Sequence, residues 1–337
     1  MSNPALSIVG IDVSKRKLDV ALLMGGKIKS KVVANAPAGF KELRAWLAKQ
    51  KAPPEQTHVC MESTGIYGEP VALNLHDAGW KVSVVNPACI KGFGQSEIVR
   101  NKNDVVDAAL IARFCAAMSP EAWTPPPLEQ RQLRAWSDRL LALKDIRQQE
   151  ANRIEAYSVA GNADLVAHIE EHVRWLDLQI AQLEQDIDDH IDRHPGLKRD
   201  AELMSSIPGV GPTTVAKLLG HIGDLRRFSS GKALAAYVGL SPRQRSSGSS
   251  IRGRTMISRS GDKALRTALY LPGIVASRYN PALHIFYERL LASGMTKKAV
   301  ICAVMRKLVH QIYAVVTSGK PFDANYLHRG LAIQDGI

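Results

Sequence analysis

SIVGIDVSKRKLDVALLMGGKIKSKVVANA, residues 7–36, decides the fold of the first third of the chain. SIVGIDVS and KLDVALLM are short runs rich in β-branched and aliphatic residues, and a Gly-Gly-Lys turn signal separates the second from KIKSKVVANA. This pattern predicts a three-stranded antiparallel meander. Downstream, PAGFKELRAWLAKQ has helical spacing, with Phe40, Leu43 and Leu47 on one face. THVCMEST predicts a strand, GIYGEPVALNLHDAG a helix that stops at glycine, WKVSVVNP a strand that ends at proline, and NDVVDAALIARFCAAM a capped helix. Three strands, helix, strand, helix, strand, helix is the order of an RNase H-like α/β domain. The proline-rich stretch PEAWTPPPLEQ bounds it, giving a first domain over 1–125.

The remainder predicts an all-α architecture. In residues 126–200, Ile169, Val173, Leu176, Ile180, Leu183 and Ile187 form a heptad seam, and Leu133, Trp136, Leu140 and Leu143 repeat it upstream. The seam fits an intramolecular helical hairpin or a coiled coil between chains. Residues 201–337 open with SIPGVGPTTVAKLLGHIG, two helical stretches around PGVG. That is a helix–hairpin–helix pattern, in which Gly209 and Gly211 would let backbone N–H groups approach a phosphate at a helix N-terminus. A plain Gly/Pro turn between helices gives the same pattern. The apolar run AVICAVMRKLVHQIYAVV (299–316) is broken by Arg306, Lys307 and His310 and reads as a core helix rather than a membrane span.

Charge narrows the partners. The chain of 337 residues carries a net charge of +12, which points to polyanions, nucleic acid above all. The charge is uneven: +4 over 1–127, −5 over 128–200 and +13 over 201–337. The acidic middle is therefore ill suited to lie along DNA, and the last part suits it best. Cys60, Cys89, Cys115 and Cys302 form no CxxC pair, so they read as reduced thiols and give no zinc signature. The N-terminus lacks the pattern of a signal peptide. These features together predict a cytoplasmic, nucleoid-associated protein with no membrane partner.

Four acids carry the first chemical signal. Asp12 lies between apolar Ile11 and Val13, and on a strand it shares a face with Gly10 and Ile8. Glu62 ends the predicted fourth strand, which would pair beside the first, and Asp104 and Asp107 lie three apart on a helix. Acids from two neighbouring strands and one helix converge at one end of such a sheet. Their mutual repulsion calls for cations: two magnesium ions on hard oxygen ligands can activate both sides of a phosphodiester displacement. Taken singly, Asp104 could be an N-cap, Asp107 a first-turn acid, and Asp12 part of an actin-like phosphate loop.

The second signal is SSGSSIRGRTMISRSG, residues 246–261, with six serines, three arginines and no acid. Over 243–266 there are seven basic side chains and one acid, Asp262. Arg243, Arg245, Arg252, Arg254, Arg259 and Lys263 can hold phosphates, the arginines in bidentate fashion. A serine hydroxyl among them could attack phosphorus. A flexible glycine–serine loop whose arginines alone hold DNA is the plainer reading, and physical chemistry does not choose among the serines.

GIDVSKRKLDV, MESTGIY, VVNPACIKGF, RNKNDVVDA, SIPGVG, LAAYVGLSPR, SSGSSIRG and SRSGDKALRTALY together resemble the insertion-sequence transposases that join an N-terminal RuvC-like DEDD domain to a C-terminal serine-containing transposase domain. This is the family of bridge-RNA-guided recombinases, to which the pilin-gene invertase is related. The resemblance implies that the DEDD tetrad is Asp12, Glu62, Asp104 and Asp107. It implies that the nucleophile is Ser247, the serine preceding glycine, with the adjacent Ser246 one position away. It further implies a phosphoserine link to DNA, an active site combining the acid domain of one subunit with the serine domain of another, and a homo-oligomer, dimer or tetramer, assembled through a coiled-coil middle. Donor and target DNA would be read by a noncoding bridge RNA, which fits the lack of a clear base-reading helix-turn-helix. Competing readings are a metal-only junction endonuclease with water as nucleophile, a non-catalytic nucleic-acid-binding protein, and an actin-like ATPase, for which no second glycine-rich phosphate loop is found.

Overall fold

The structure, a computed structural model, describes residues 7–63, 65–96, 104–243, 246–247, 251–252, 256–258 and 261–325. The chain divides into two compact units, 1–125 and 126–337.

The first unit is built on one mixed sheet. Strands β1 (Ser7–Val13), β2 (Lys17–Met24) and β3 (Lys27–Ala34) form the predicted antiparallel meander. Its second turn is the two-residue loop Gly25–Gly26, with φ of 56° and 77°, the left-handed pair that matches strand twist and that glycine adopts without steric cost. Helix α1 (Pro37–Lys49) then crosses over to β4 (Thr57–Glu62), and α2 (Glu69–Asp77) to β5 (Lys81–Val85); both strands run parallel to β1. The strand order is β3-β2-β1-β4-β5. Central β1 is covered on both faces and so reads as an almost continuous apolar run. The edge strand β3 instead exposes most of its length and carries Lys27, Lys29 and Lys31, which discourage pairing with another chain.

Alternation along the strands makes two cores. Val9, Ile11, Leu18, Val20, Val59 and Met61 face Phe40, Leu43 and Leu47 of α1 and Val71 and Leu75 of α2. On the other face, Ile8, Ala21 and Cys60 meet Ile90 of α3 (Pro87–Ser96) and Ala108, Ile111, Ala112 and Cys115 of α4 (Asp104–Met118). Helix α3 is an addition to the predicted order: Gly92 and Gly94 give PACIKGFGQS weak helical propensity, and packing overrides it.

The second unit is helical. α5 (Leu128–Val159) and α6 (Ala163–Arg193) are joined by three residues as an antiparallel hairpin. The heptad seam is used within the chain: Leu176, Ile180 and Ile187 share one buried core with Leu133, Leu140 and Leu143, and Ile169 is buried too. The same core takes in α7 (Pro195–Ser205), α8 (Pro212–Ile222), α9 (Gly231–Val238), α10 (Lys263–Ala268), α11 (Tyr270–Tyr279), α12 (Pro281–Ala292) and α13 (Lys297–Ser318). Residues 126–200 thus do not stand apart from 201–337, although their charges differ. Among the described residues α13 alone is long and apolar enough to cross a membrane, and Val300, Val304, Leu308, Ile312 and Val316 are buried along it at every fourth position, as a core helix requires. Between α9 and α10, among the described residues, lie four two-residue strands: β6 (Pro242–Arg243) pairs with β9 (Met256–Ile257), and β7 (Ser246–Ser247) with β8 (Ile251–Arg252).

Candidate active site

Strand register sets the positions of the first acids. β1 and β4 run parallel with Ile11 beside Met61, so the next residues, Asp12 and Glu62, stand at one level on one face. Across the other side of β1, Asp12 is paired directly with Asp19 of β2. Three carboxylates therefore occupy one row on adjacent strands, at steps of about 4.8 Å. Asp19 is buried and salt-bridged to Lys17 Nζ at 3.0 Å, and Lys17 lies two residues back on the same face. Like charges directly opposite on a sheet repel, and the Lys17 ammonium offsets part of this. The sequence reading missed Asp19. Its signal was present in the short link between β1 and β2, which sets 12 opposite 19, but only once the turn is known: the Ser14 N–H donates to Lys17 O at 3.0 Å and closes it.

Gly10, two residues before Asp12, fixes α4 over this row. A Cβ on Gly10 would fall inside van der Waals contact with the Ala108 carbonyl oxygen and the Ala112 nitrogen, and 3.0 Å from Ala112 Cα. The helix backbone thus rests on β1 itself. Further along the helix, Cys115 interacts with Cys60 and with His58, two residues earlier on β4. From Ala108 to Cys115 the helix therefore travels towards the start of the strands, and its first turn, with Asp104 and Asp107, extends towards the end that carries Asp12 and Glu62. Asp107 is half-buried; the side chain of Asp104 lies outside the described ones. All the donors are carboxylate oxygens, which suit a hard divalent cation. Among the described residues, no three His, Cys, Asp or Glu side chains are gathered closely enough to hold one.

The two glycines of PGVG have different duties. Gly209 has φ of 101°, and a Cβ there would lie 2.8 Å from the backbone nitrogen of Ala276, so this glycine is required for close packing on α11. Gly211 precedes α8 as its N-cap and has open space where a side chain would be. In the serine–arginine stretch, Arg243, Ser246, Ser247 and Arg252 lie in the short ribbons, while Arg245, Arg254 and Arg259 lie outside the described residues. Lys263 is exposed at the start of α10.

The foot of that stretch is tied down. The Asp262 N–H donates to Tyr237 O at 2.9 Å, and its Oδ1 caps α10 by accepting from the Ala264 and Leu265 N–H groups at 2.8 and 3.0 Å. Its other oxygen is 3.5 Å from His221 Nδ1. His221 Nε2 is 2.8 Å from Asp138 Oδ1 on α5, which also binds the ammonium of Lys217, buried one turn earlier on α8. Burial pushes the Asp138 and Asp262 carboxyls up, but the His221 ring beside both, the Lys217 ammonium on Asp138 and two N–H groups on Asp262 outweigh it, and each settles at about 2. Burial likewise pushes the His221 ring towards its neutral form, but Asp138 and then Asp262 outweigh it, and its pKa is raised. No local pattern announced this cluster, since its members are up to 83 residues apart in bonded pairs.

Comparison with known proteins gives consistent matches. Residues 9–157 match a family model described as Transposase, and residues 201–288 match one described as Transposase IS116/IS110/IS902 family. The pilin gene-inverting protein of Moraxella bovis is 36% identical over 320 residues, covering 94% of this chain and 97% of that protein. A transposase for insertion sequence element IS1328 of Yersinia enterocolitica is 25% identical over 292 residues, covering 75% and 81%. A solved structure of T. thermophilus RuvC in complex with a Holliday junction substrate aligns with 34% of this chain and 96% of its own at 17% identity and a TM-score of 0.26, a likeness too slight to argue from.

Proposed function

The chain belongs to the IS110 family of transposases, enzymes that act on DNA, and from that premise we propose that it cuts and rejoins DNA strands through a serine–phosphate intermediate at Ser247. The observation that carries the reading is the carboxylate row at one sheet end with the first turn of α4 directed towards it. Asp12, Glu62, Asp104 and Asp107 would hold divalent metal, magnesium by the hardness of the donors, which supplies charge neutralisation at the scissile phosphate. Ser247 Oγ forms the bond to phosphorus, and the bond from phosphorus to one strand end breaks. That end leaves as a hydroxyl and takes up a proton equivalent to the one lost by the serine. Rejoining reverses the same exchange. Arg243, Arg245, Arg252, Arg254 and Arg259 neutralise the phosphates of the strand under attack.

The family resemblance supports two further parts of the reading: assembly of several chains, and choice of donor and target DNA by a noncoding RNA. The heptad seam is already used within the chain, so assembly would use other faces of α5 and α6, where Trp175 and Leu178 are exposed. The test is to incubate the protein with element-end DNA, the element's RNA and magnesium, then denature. A protein–DNA adduct mapping to Ser247, absent in Ser247→Ala, is expected. Normal strand breakage by Ser247→Ala without any adduct overturns the proposal.

A further inference from the structure

Asp138, Lys217, His221 and Asp262 form a polar cluster in the second unit that the proposed chemistry does not use; Lys217 and His221 are enclosed, Asp262 is partly buried and Asp138 is open to solvent on one side. Its geometry sets an unusual demand on one ring. His221 is almost wholly enclosed, and each of its nitrogens faces a carboxylate: Nε2 is 2.8 Å from Asp138 Oδ1, and Nδ1 is 3.5 Å from Asp262 Oδ2. An ionised carboxylate only accepts. A neutral imidazole can donate from one nitrogen alone, so it would leave the other opposite an acceptor. In the structure Nδ1 is buried and has no hydrogen-bond partner. Only the imidazolium donates from both sides.

The other charges make that form affordable. The charged groups facing the ring are Asp138 from α5, Asp262 from the head of α10 and Lys217 from its own helix. With the ring protonated these are two cations and two anions. With the ring neutral, the four groups carry a net charge of −1, and one nitrogen of the enclosed ring is left facing a carboxylate with no proton to donate.

The location gives the cluster its use. Asp262 follows directly on the serine–arginine stretch and holds its foot in three ways: its N–H bonds to Tyr237 O, its Oδ1 caps α10, and its Oδ2 faces His221. Asp138 belongs to the long hairpin helix α5. We infer that His221 is a positioning residue, which in its protonated form fastens the foot of the serine–arginine segment to the helical hairpin through Asp262 and Asp138. The sign of the pH dependence follows from the ring's raised pKa. The fastening is complete below the ordinary imidazole range and is released as pH rises through the raised value.

The inference rests on the proposed function for its catalytic consequence but not for its structural one, so two measurements separate them. The first is hydrogen exchange by mass spectrometry on the full-length chain from about pH 5.5 to about pH 9, corrected for intrinsic rates. Protection of the Asp262, Ala264 and Leu265 amides should fall roughly tenfold or more through one titration. In His221→Gln it should stay low and flat. In Asp262→Asn, which keeps a competent helix cap but loses the charge, it should also lose its pH step. Protection that is constant with pH in the unaltered chain, or a step that survives in His221→Gln, overturns the inference. The second measurement is the yield of adduct at Ser247, expected to follow the same step. An exchange step with no adduct at any pH upholds the fastening and overturns the serine reading.

Discussion

Gly10→Ala is the sharpest test of how the acids are brought together. The added methyl carbon would overlap two backbone atoms of α4, the Ala108 carbonyl oxygen and the Ala112 nitrogen. Backbone cannot rotate away as a side-chain tip can, so the helix must withdraw by roughly 1 Å to reach a normal contact. Overpacking of this kind costs about 1–3 kcal/mol, and a backbone obstruction belongs at the upper end. For a unit of this size that is a fall of roughly 10 °C in melting temperature. The withdrawal also carries Asp107 away from Asp12 and Glu62, and misplacement by about 1 Å costs on the order of 10²-fold in rate. Calorimetry on the full-length chain should show the N-terminal transition lowered. Cleavage of element-end DNA should fall about 10²-fold, and retention of that DNA on a filter should be nearly unchanged, because the basic stretch is untouched. A melting temperature within about 2 °C of the unaltered chain together with full cleavage would show that α4 is not seated on β1 and that its first turn is not aimed by that contact.

Asp12→Asn or Glu62→Gln should lower cleavage of element-end DNA by at least about 10²-fold, and cleavage at the unaltered rate refutes a role for the row. Gly209→Ala should destabilise the second unit by about 2–4 kcal/mol in urea titration, because φ of 101° and the 2.8 Å approach to Ala276 both oppose a side chain; an unchanged midpoint refutes this. Asp200→Asn should cost about 1–2 kcal/mol in the same titration, since it replaces a two-point bond to Arg226 whose guanidinium is partly reached by solvent. The carboxyls of Asp138 and Asp262 are both depressed to about 2, so the stability they confer is present above the ordinary value of 3.8 and is lost as pH falls through about 2. Acid unfolding of the second unit followed by circular dichroism should steepen in that window, and Asp138→Asn should flatten it.

The first unit was largely legible because its signals are local. Alternation in SIVGIDVS and KLDVALLM, the Gly25–Gly26 turn and the apolar face of α1 each lie within a few residues. The shared level of Asp12 and Glu62 was legible too, because adjacency of β1 and β4 fixes it once strand order is known. Asp19 was not, because its partner depends on register across a turn rather than on its own neighbours. Helix α3 was missed because two glycines argue against a helix that packing nonetheless forms, and because Pro87, at its first position, was read only as the end of the preceding strand. The heptad seam showed which residues are buried but not which chain buries them, since a hairpin and a dimer share one period. The His221 cluster depends on contacts between α5, α8 and α10, which no sequence window contains.

The pairing of β1 with β4 has a consequence for how such chains can vary in length. Side chains alternate at every residue, so inserting or deleting one residue within either strand would turn Asp12 or Glu62 to the opposite layer, among Phe40 and Leu43. Point changes at the apolar positions preserve this phase, whereas a frame-preserving loss of one codon destroys it. The Gly25–Gly26 loop sits at the far end of the sheet from the acids, so length variation among natural sequences should collect there and vanish from the two central strands.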